Sequence, residues 1–122
     1  MANEIVHWEF MGPDGAAITS FYENLFGWKS EGVPGFDGYN LIGADQAGIG
    51  GAVGQGSETM PAYVTVYVQV DDVTEYLAKA EAGGGGTVMP RTVVPGMVTF
   101  GLFSDPAGNI VGVVEAAMPP AE

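Results

Sequence analysis

Apolar and polar residues alternate from Glu4 to Phe10. Val6, Trp8 and Phe10 share one side; Ile5, His7 and Glu9 share the other. That period predicts a half-buried strand with a polar second face. The run Met11-Gly12-Pro13-Asp14-Gly15 breaks it, and Asp14 stands where it can cap a helix reaching to about Phe26. Ile18, Phe21, Tyr22, Leu25 and Phe26 fall on one helical stripe, and Gly27 supplies the stop. From Trp28 to Gly56 glycine, proline and Asp-Gly punctuate three short apolar pieces, Trp28–Ser30, Gly38–Ile42 and Gly48–Val53, which predict three short strands.

The second half repeats this order. Tyr63 to Val70 alternates most regularly of all. Its valines at 64, 66, 68 and 70 are expected to pack on a helix, leaving Tyr63, Thr65, Tyr67 and Gln69 on the opposite face. Asp72 and Glu75 have the spacing of a capping box opening a helix to about Ala82, with Val73, Tyr76, Leu77 and Ala80 as its stripe. The glycines from Gly83 to Gly86 end that helix. Strands are expected at Thr87–Met89, Met97–Phe103 and Ile110–Glu115, with a tight turn over Ser104–Asn109 and a frayed tail from Ala116. The chain therefore predicts an α+β protein, 1–122 as a single domain, built from two tandem βαβββ modules at about 4–56 and about 62–116. One module alone would leave a sheet face bare, so the modules must pair, within the chain or with another chain.

Composition narrows the function classes. The 122 residues carry 15 Asp and Glu against 3 Lys and Arg, a formal net charge of −12. With Lys29, Lys79 and Arg91 as the fixed cations, no nucleic-acid or membrane-surface partner is expected. No cysteine is present, which removes disulfide scaffolds, thiolate metal sites and cysteine nucleophiles. The N-terminus has no signal-peptide pattern and no apolar run is long enough to span a bilayer, so a cytoplasmic location is expected. The stretch Gly48–Gly54 has Val53 where a GxGxxG loop needs its last glycine, so close sheet packing accounts for it better than phosphate binding.

Several of these pieces together resemble the vicinal-oxygen-chelate superfamily of glyoxalases, bleomycin-resistance proteins and extradiol dioxygenases. They are the His7 strand, Phe21-Tyr22 followed by Leu25-Phe26-Gly27-Trp28, the Gly48-Ile49-Gly50-Gly51 run, Val70-Asp71-Asp72-Val73, and the Asp105-Pro106-Ala107-Gly108-Asn109 turn. The resemblance implies curved mixed sheets around a cavity with helices outside, and a homodimer. It also implies a divalent metal held by four side chains. Carried over position by position, these fall on His7, near Gly50, on Thr65 and near Gly112; only His7 keeps a ligand of the expected kind. No cofactor is therefore expected, a metal at His7 being the alternative.

The candidate site residues follow from the inward faces. His7 and Glu9 are candidates for acid–base chemistry, because imidazole titrates near neutrality and a buried carboxylate can be tuned as a base. Alternatively, His7 is a hydrogen-bonded lining residue and Glu9 a solvated residue at the mouth. Tyr39, Tyr63, Thr65, Tyr67 and Gln69 would form an aromatic, hydrogen-bonding wall for a small-molecule ligand, or else fill the hollow or a subunit contact. The expected function is small-molecule binding with a degenerate metal site. The alternatives are a glyoxalase-like lyase, isomerase or dioxygenase working through a metal at His7 or through metal-free acid–base chemistry, and a dimeric structural module without ligand.

Overall fold

The computed structural model describes residues 3–115. Its elements are β1 (Ile5–Gly12), α1 (Gly15–Phe26), β2 (Glu31–Val33), β3 (Phe36–Ile42), α2 (Ala44–Ala47), β4 (Gly51–Gln55), β5 (Tyr63–Val70), α3 (Val73–Ala82), β6 (Gly86–Val94), β7 (Val98–Ser104) and β8 (Ile110–Glu115). The fold is α+β, as the alternation predicts. Residues 6–65 form one compact unit; residues 3–5 and 66–115 form the other. Both repeat one connectivity. The strand order is β2-β3-β4-β1 in the first and β5-β8-β7-β6 in the second. In each the opening strand runs parallel to the last, and the remaining pairs are antiparallel.

In the first unit, β1 is hydrogen-bonded to β4 with Glu9 beside Ala52 and Met11 beside Gly54. β3 lies on the other side of β4, with Leu41 beside Ala52 and Tyr39 beside Gly54. Paired residues share a face. Glu9, Met11, Tyr39 and Leu41 therefore stand on one side of the sheet, and Trp8, Phe10 and Ile42 on the other. The second side carries the aromatic packing. Phe10 meets Tyr22 at 4.8 Å between ring centroids and Trp8 meets Trp28 at 5.4 Å. Trp8 also lies over Gly51, and its indole N–H donates to the Ile49 carbonyl.

Helix α1 begins where Asp14 accepts the Ala17 amide and ends at Gly27, whose φ of 74° is the left-handed stop expected of it. The buried side of this helix takes only Ile18 and Tyr22 from the predicted stripe. Gly15, Thr19 and, in part, Ile18 and Tyr22 face the sheet, whereas Phe21, Leu25 and Phe26 are more than half exposed. Close approach at the first turn sets the rotation: a Cβ on Gly15 would stand 2.9 Å from the Gln55 amide nitrogen. Thr19 then donates to the Gly15 carbonyl and accepts from Asn40 of β3, which holds that side inward. The three strands expected between Trp28 and Gly56 are found, the first and third about three residues later than expected and the second, β3, starting two residues earlier at Phe36. Trp28 packs its ring on Trp8 and Phe26 instead of joining a strand, and the short helix α2 was not predicted.

In the second unit, Asp72 accepts the Glu75 amide as the capping spacing requires. Val70, Val73, Leu77 and Val113 form the core, with Tyr76 and Phe103 packed against it. The valine face of β5 is only partly covered. Val70 is buried, but Val64 is 68 % exposed. Helix α3 packs on β6, β7 and β8. The Asp105 turn closes on itself as predicted, its carboxylate accepting the Ala107 and Asn109 amides. The tail expected to fray, from Ala116, lies outside the described residues. Among the described residues no helix is long and apolar enough to cross a membrane.

Two expectations test this packing. A Cβ at Gly51 would stand 2.1 Å from two Trp8 ring atoms, so Gly51→Ala is expected to cost about 2 kcal/mol in denaturant unfolding and to shift the tryptophan fluorescence. Glu115 binds Arg91 through both oxygens and accepts the Val73 amide at the start of α3. The Arg91 guanidinium, then the Val73 amide, draw its pKa down to about 2. A depressed carboxylate pKa stabilises the fold above its ordinary value and loses that stabilisation as the pH falls. The melting temperature of the native chain should therefore decline between about pH 4.5 and about pH 2 more steeply than that of Glu115→Gln. At neutral pH the variant should be less stable by about 1 kcal/mol.

Candidate functional site

Four of the sequence-predicted residues meet in the unit of residues 6–65. His7 and Glu9 project from β1 on the face opposite Trp8, Tyr39 from β3 and Tyr63 from the start of β5. Glu9 is 5 % exposed, so it is a buried carboxylate and not the solvated residue at a mouth. Its two oxygens take two phenols. Tyr39 donates to Oε2 at 2.6 Å and Tyr63 donates to Oε1 at 3.1 Å. The Nε2 of His7 lies 2.8 Å from the Tyr39 hydroxyl. That hydroxyl has a single proton and gives it to Glu9, so the histidine bond is donated from Nε2–H.

Burial sets the protonation states here. Desolvation lowers the pKa of His7 and outweighs the opposing charge of Glu9, so the imidazole is neutral at neutral pH. Burial, then the charge of Glu9 and its hydrogen bond, push the Tyr63 phenol well above its ordinary value. Each cause favours the neutral phenol, which keeps its proton and donates it to the carboxylate. The arrangement is thus one carboxylate with two phenols and an imidazole ordered around it.

Strand β4 makes this convergence sterically accessible. It stands between β1 and β3 and presents only Ala52 and Gly54 on the shared face. Tyr39 is two register steps from Glu9 and reaches it diagonally across those small residues. The spacing of residues 9 and 39 in the chain carries no trace of this pairing. The one signal was the small-residue run Gly50-Gly51-Ala52-Val53-Gly54, which sequence reasoning took as close packing alone.

The other predicted wall residues divide. Thr65 is buried at 4 % exposure and lies on the same face of β5 as Tyr63. Tyr67 and Gln69 belong to the second unit. Tyr67 is buried, edge-on to Phe100 and laid over Gly112, its register partner on β8. The Gln69 backbone donates to the Glu4 carbonyl and accepts from Asn3.

The positions at which the resemblance implies metal ligands can be tested one by one. His7 keeps its imidazole, which bonds to Tyr39. Gly50, just before β4, has no side chain. Thr65 offers a hydroxyl in place of an imidazole. At Gly112 a Cβ would stand 2.3 Å from the Tyr67 ring, so the tyrosine fills the room that a ligand side chain would need. Among the described residues, no group of three or more His, Cys, Asp or Glu could hold a metal ion. This donor set does not fit the divalent metal of the four-ligand pattern.

Comparison with known proteins agrees with the fold. The family model described as the Glyoxalase/Bleomycin resistance protein/Dioxygenase superfamily matches residues 4–113. The anthracycline biosynthesis protein DnrV of Streptomyces peucetius is 32 % identical over 117 residues, covering 83 % of this chain and 42 % of that protein. A Mycobacterium tuberculosis protein, CFP32, provisionally named a glyoxylase, is 33 % identical over 109 residues, covering 84 % of this chain and 42 % of that protein. The chain thus spans less than half the length of these curated relatives. Among solved structures, methylmalonyl-CoA epimerase from Mycobacterium tuberculosis superimposes with a TM-score of 0.60 at 14 % identity, over 93 % of this chain and 87 % of that one. The repeated βαβββ connectivity, the placement of the predicted motifs and these matches lead to one assignment: the chain belongs to the glyoxalase/bleomycin resistance protein/dioxygenase superfamily.

Proposed function

We propose that this chain is a small-molecule-binding member of the superfamily. In this reading it holds an oxygenated, fused-ring aromatic ligand through side-chain hydrogen bonds and not through a chelated metal. The observation that carries the reading is the cluster in which Glu9 orders Tyr39, Tyr63 and His7. Half-buried phenols beside a neutral imidazole offer a ligand both ring surface and directed polar contacts, the usual make-up of a small-molecule site. The name of the Streptomyces peucetius relative, an anthracycline biosynthesis protein, supports an aromatic ligand. The mismatch of the four metal positions supports hydrogen bonding as the means of holding it.

A homodimer belongs to the same proposal. Phe21, Leu25 and Phe26 form an exposed apolar side of α1, of the kind that a partner surface covers. Sedimentation equilibrium should then give twice the chain mass, and a monomer at micromolar concentration would remove this part.

Titration calorimetry of the purified chain against a panel of hydroxylated anthraquinones and small dicarbonyls tests the reading. At least one anthraquinone is expected to bind, and the dicarbonyls are not. Tyr39→Phe, which removes both the donor to Glu9 and the acceptor for His7, should weaken that binding about tenfold. Failure of every compound to bind, or binding indifferent to Tyr39→Phe, would sink the proposal.

A further inference from the structure

The cluster has a hydrogen-bond polarity that follows from counting protons. A phenol has one proton to donate and lone pairs with which to accept. At Tyr39 the proton is given to Glu9 Oε2, and a lone pair already takes the His7 Nε2–H. At Tyr63 the proton is given to Glu9 Oε1. A phenol in this state meets a ligand with oxygen lone pairs only. The carboxylate behind it adds to this: donation to an anion polarises the O–H bond and leaves the phenolic oxygen a stronger acceptor. The burial of Glu9, at 5 % exposure, keeps that charge close to the phenols and away from screening water. The charge of the whole chain, −12, points the same way, since it repels anions at a distance.

We infer that Glu9 is a positioning residue that makes this site an acceptor surface, selecting ligands that present an O–H or N–H donor to Tyr63 and rejecting carboxylates and other anions. The inference rests on the small-molecule-binding reading above and deepens it by naming the chemistry of the ligand edge. It reverses what a chelating centre asks of its ligand, because a metal takes oxygens as lone-pair donors, whereas this cluster supplies the lone pairs itself. The Glu9→Gln variant exposes the logic. A glutamine can accept from one phenol, but its amide N–H₂ must donate to the other, whose own proton then turns outward. The selectivity should relax while shape and ring contacts stay as they were.

The experiment uses one anthraquinone skeleton with three substituents at the same position: hydroxymethyl, methoxymethyl and carboxylate. The wild-type chain is expected to bind the hydroxymethyl compound about tenfold more tightly than the methoxymethyl compound, and the carboxylate more weakly still. In Glu9→Gln the two neutral compounds should come within about threefold of each other. In Tyr63→Phe, which removes the acceptor, the hydroxymethyl compound should fall to the level of the methoxymethyl one. A far-ultraviolet melting curve establishes that each variant folds; if Glu9→Gln does not, Tyr63→Phe carries the test. Equal binding of the two neutral compounds by the wild-type chain, or carboxylate binding as tight as theirs, overturns the inference and leaves the binding reading standing. Binding of none of the three overturns both.

Discussion

Removing a carboxylate from water costs several kcal/mol unless its oxygens find donors. Glu9 meets that cost with two phenols drawn from strands on different parts of the chain. This ties β1 to β3 and to the start of β5 by side chains. It also limits β4, which lies between Glu9 and Tyr39 and has only Ala52 and Gly54 on that face. A larger residue there would separate the phenol from the carboxylate and leave a buried charge short of a donor. The small residues of β4 and the hydrogen bonds of Glu9 are two aspects of one constraint.

The two faces of the first unit divide the work. The odd-numbered residues of β1 hold the polar cluster. The even-numbered ones, Trp8 and Phe10, join Tyr22 and Phe26 of α1 and Trp28 after it in a set of tilted and stacked rings. A one-residue slip of β1 against β4 would exchange these faces and bury the aromatic side chains where the carboxylate belongs. Trp8 resists such a slip because its ring fits only over Gly51, and its indole N–H is tied to the backbone of residue 49. The aromatic face therefore fixes the register on which the polar face depends.

Much of this was legible in the sequence. The alternation in β1 and β5, the caps at Asp14 and Asp72, the stop at Gly27 and the turn at Asp105 are local signals with local causes, and they fell where they were read. What failed was rotation and reach. Ile18 and Tyr22 belong both to the predicted stripe, with Phe21, Leu25 and Phe26, and to the buried line, with Gly15 and Thr19, and both sets satisfy a helical period. The choice between them was made by the contact of Gly15 with Gln55, a residue 40 positions away. Val64 fits the strand period of the expected packed face and yet is 68 % exposed. The candidate site was legible as a set of residues on inward faces. Its bonding was not, because which phenol meets which oxygen is decided by strand order and register, and neither is written in spacing along the chain.

The same reasoning applies to Gly112, one of the positions at which the resemblance implies a metal ligand. A bare gap there would leave a void in a sheet that otherwise packs at the density of a solid. At Gly112 the gap is filled by the Tyr67 ring, which lies across the position and meets Phe100 edge-on. Tyrosine and glycine are therefore a matched pair: restoring a ligand at 112 without removing the ring at 67 would overpack the sheet. By register the position on β1 that corresponds to Tyr67 on β5 is Glu9, beside Ala52 as Tyr67 is beside Gly112. The duplicated architecture thus places a packed aromatic ring at one copy of this position and a hydrogen-bonded carboxylate at the other.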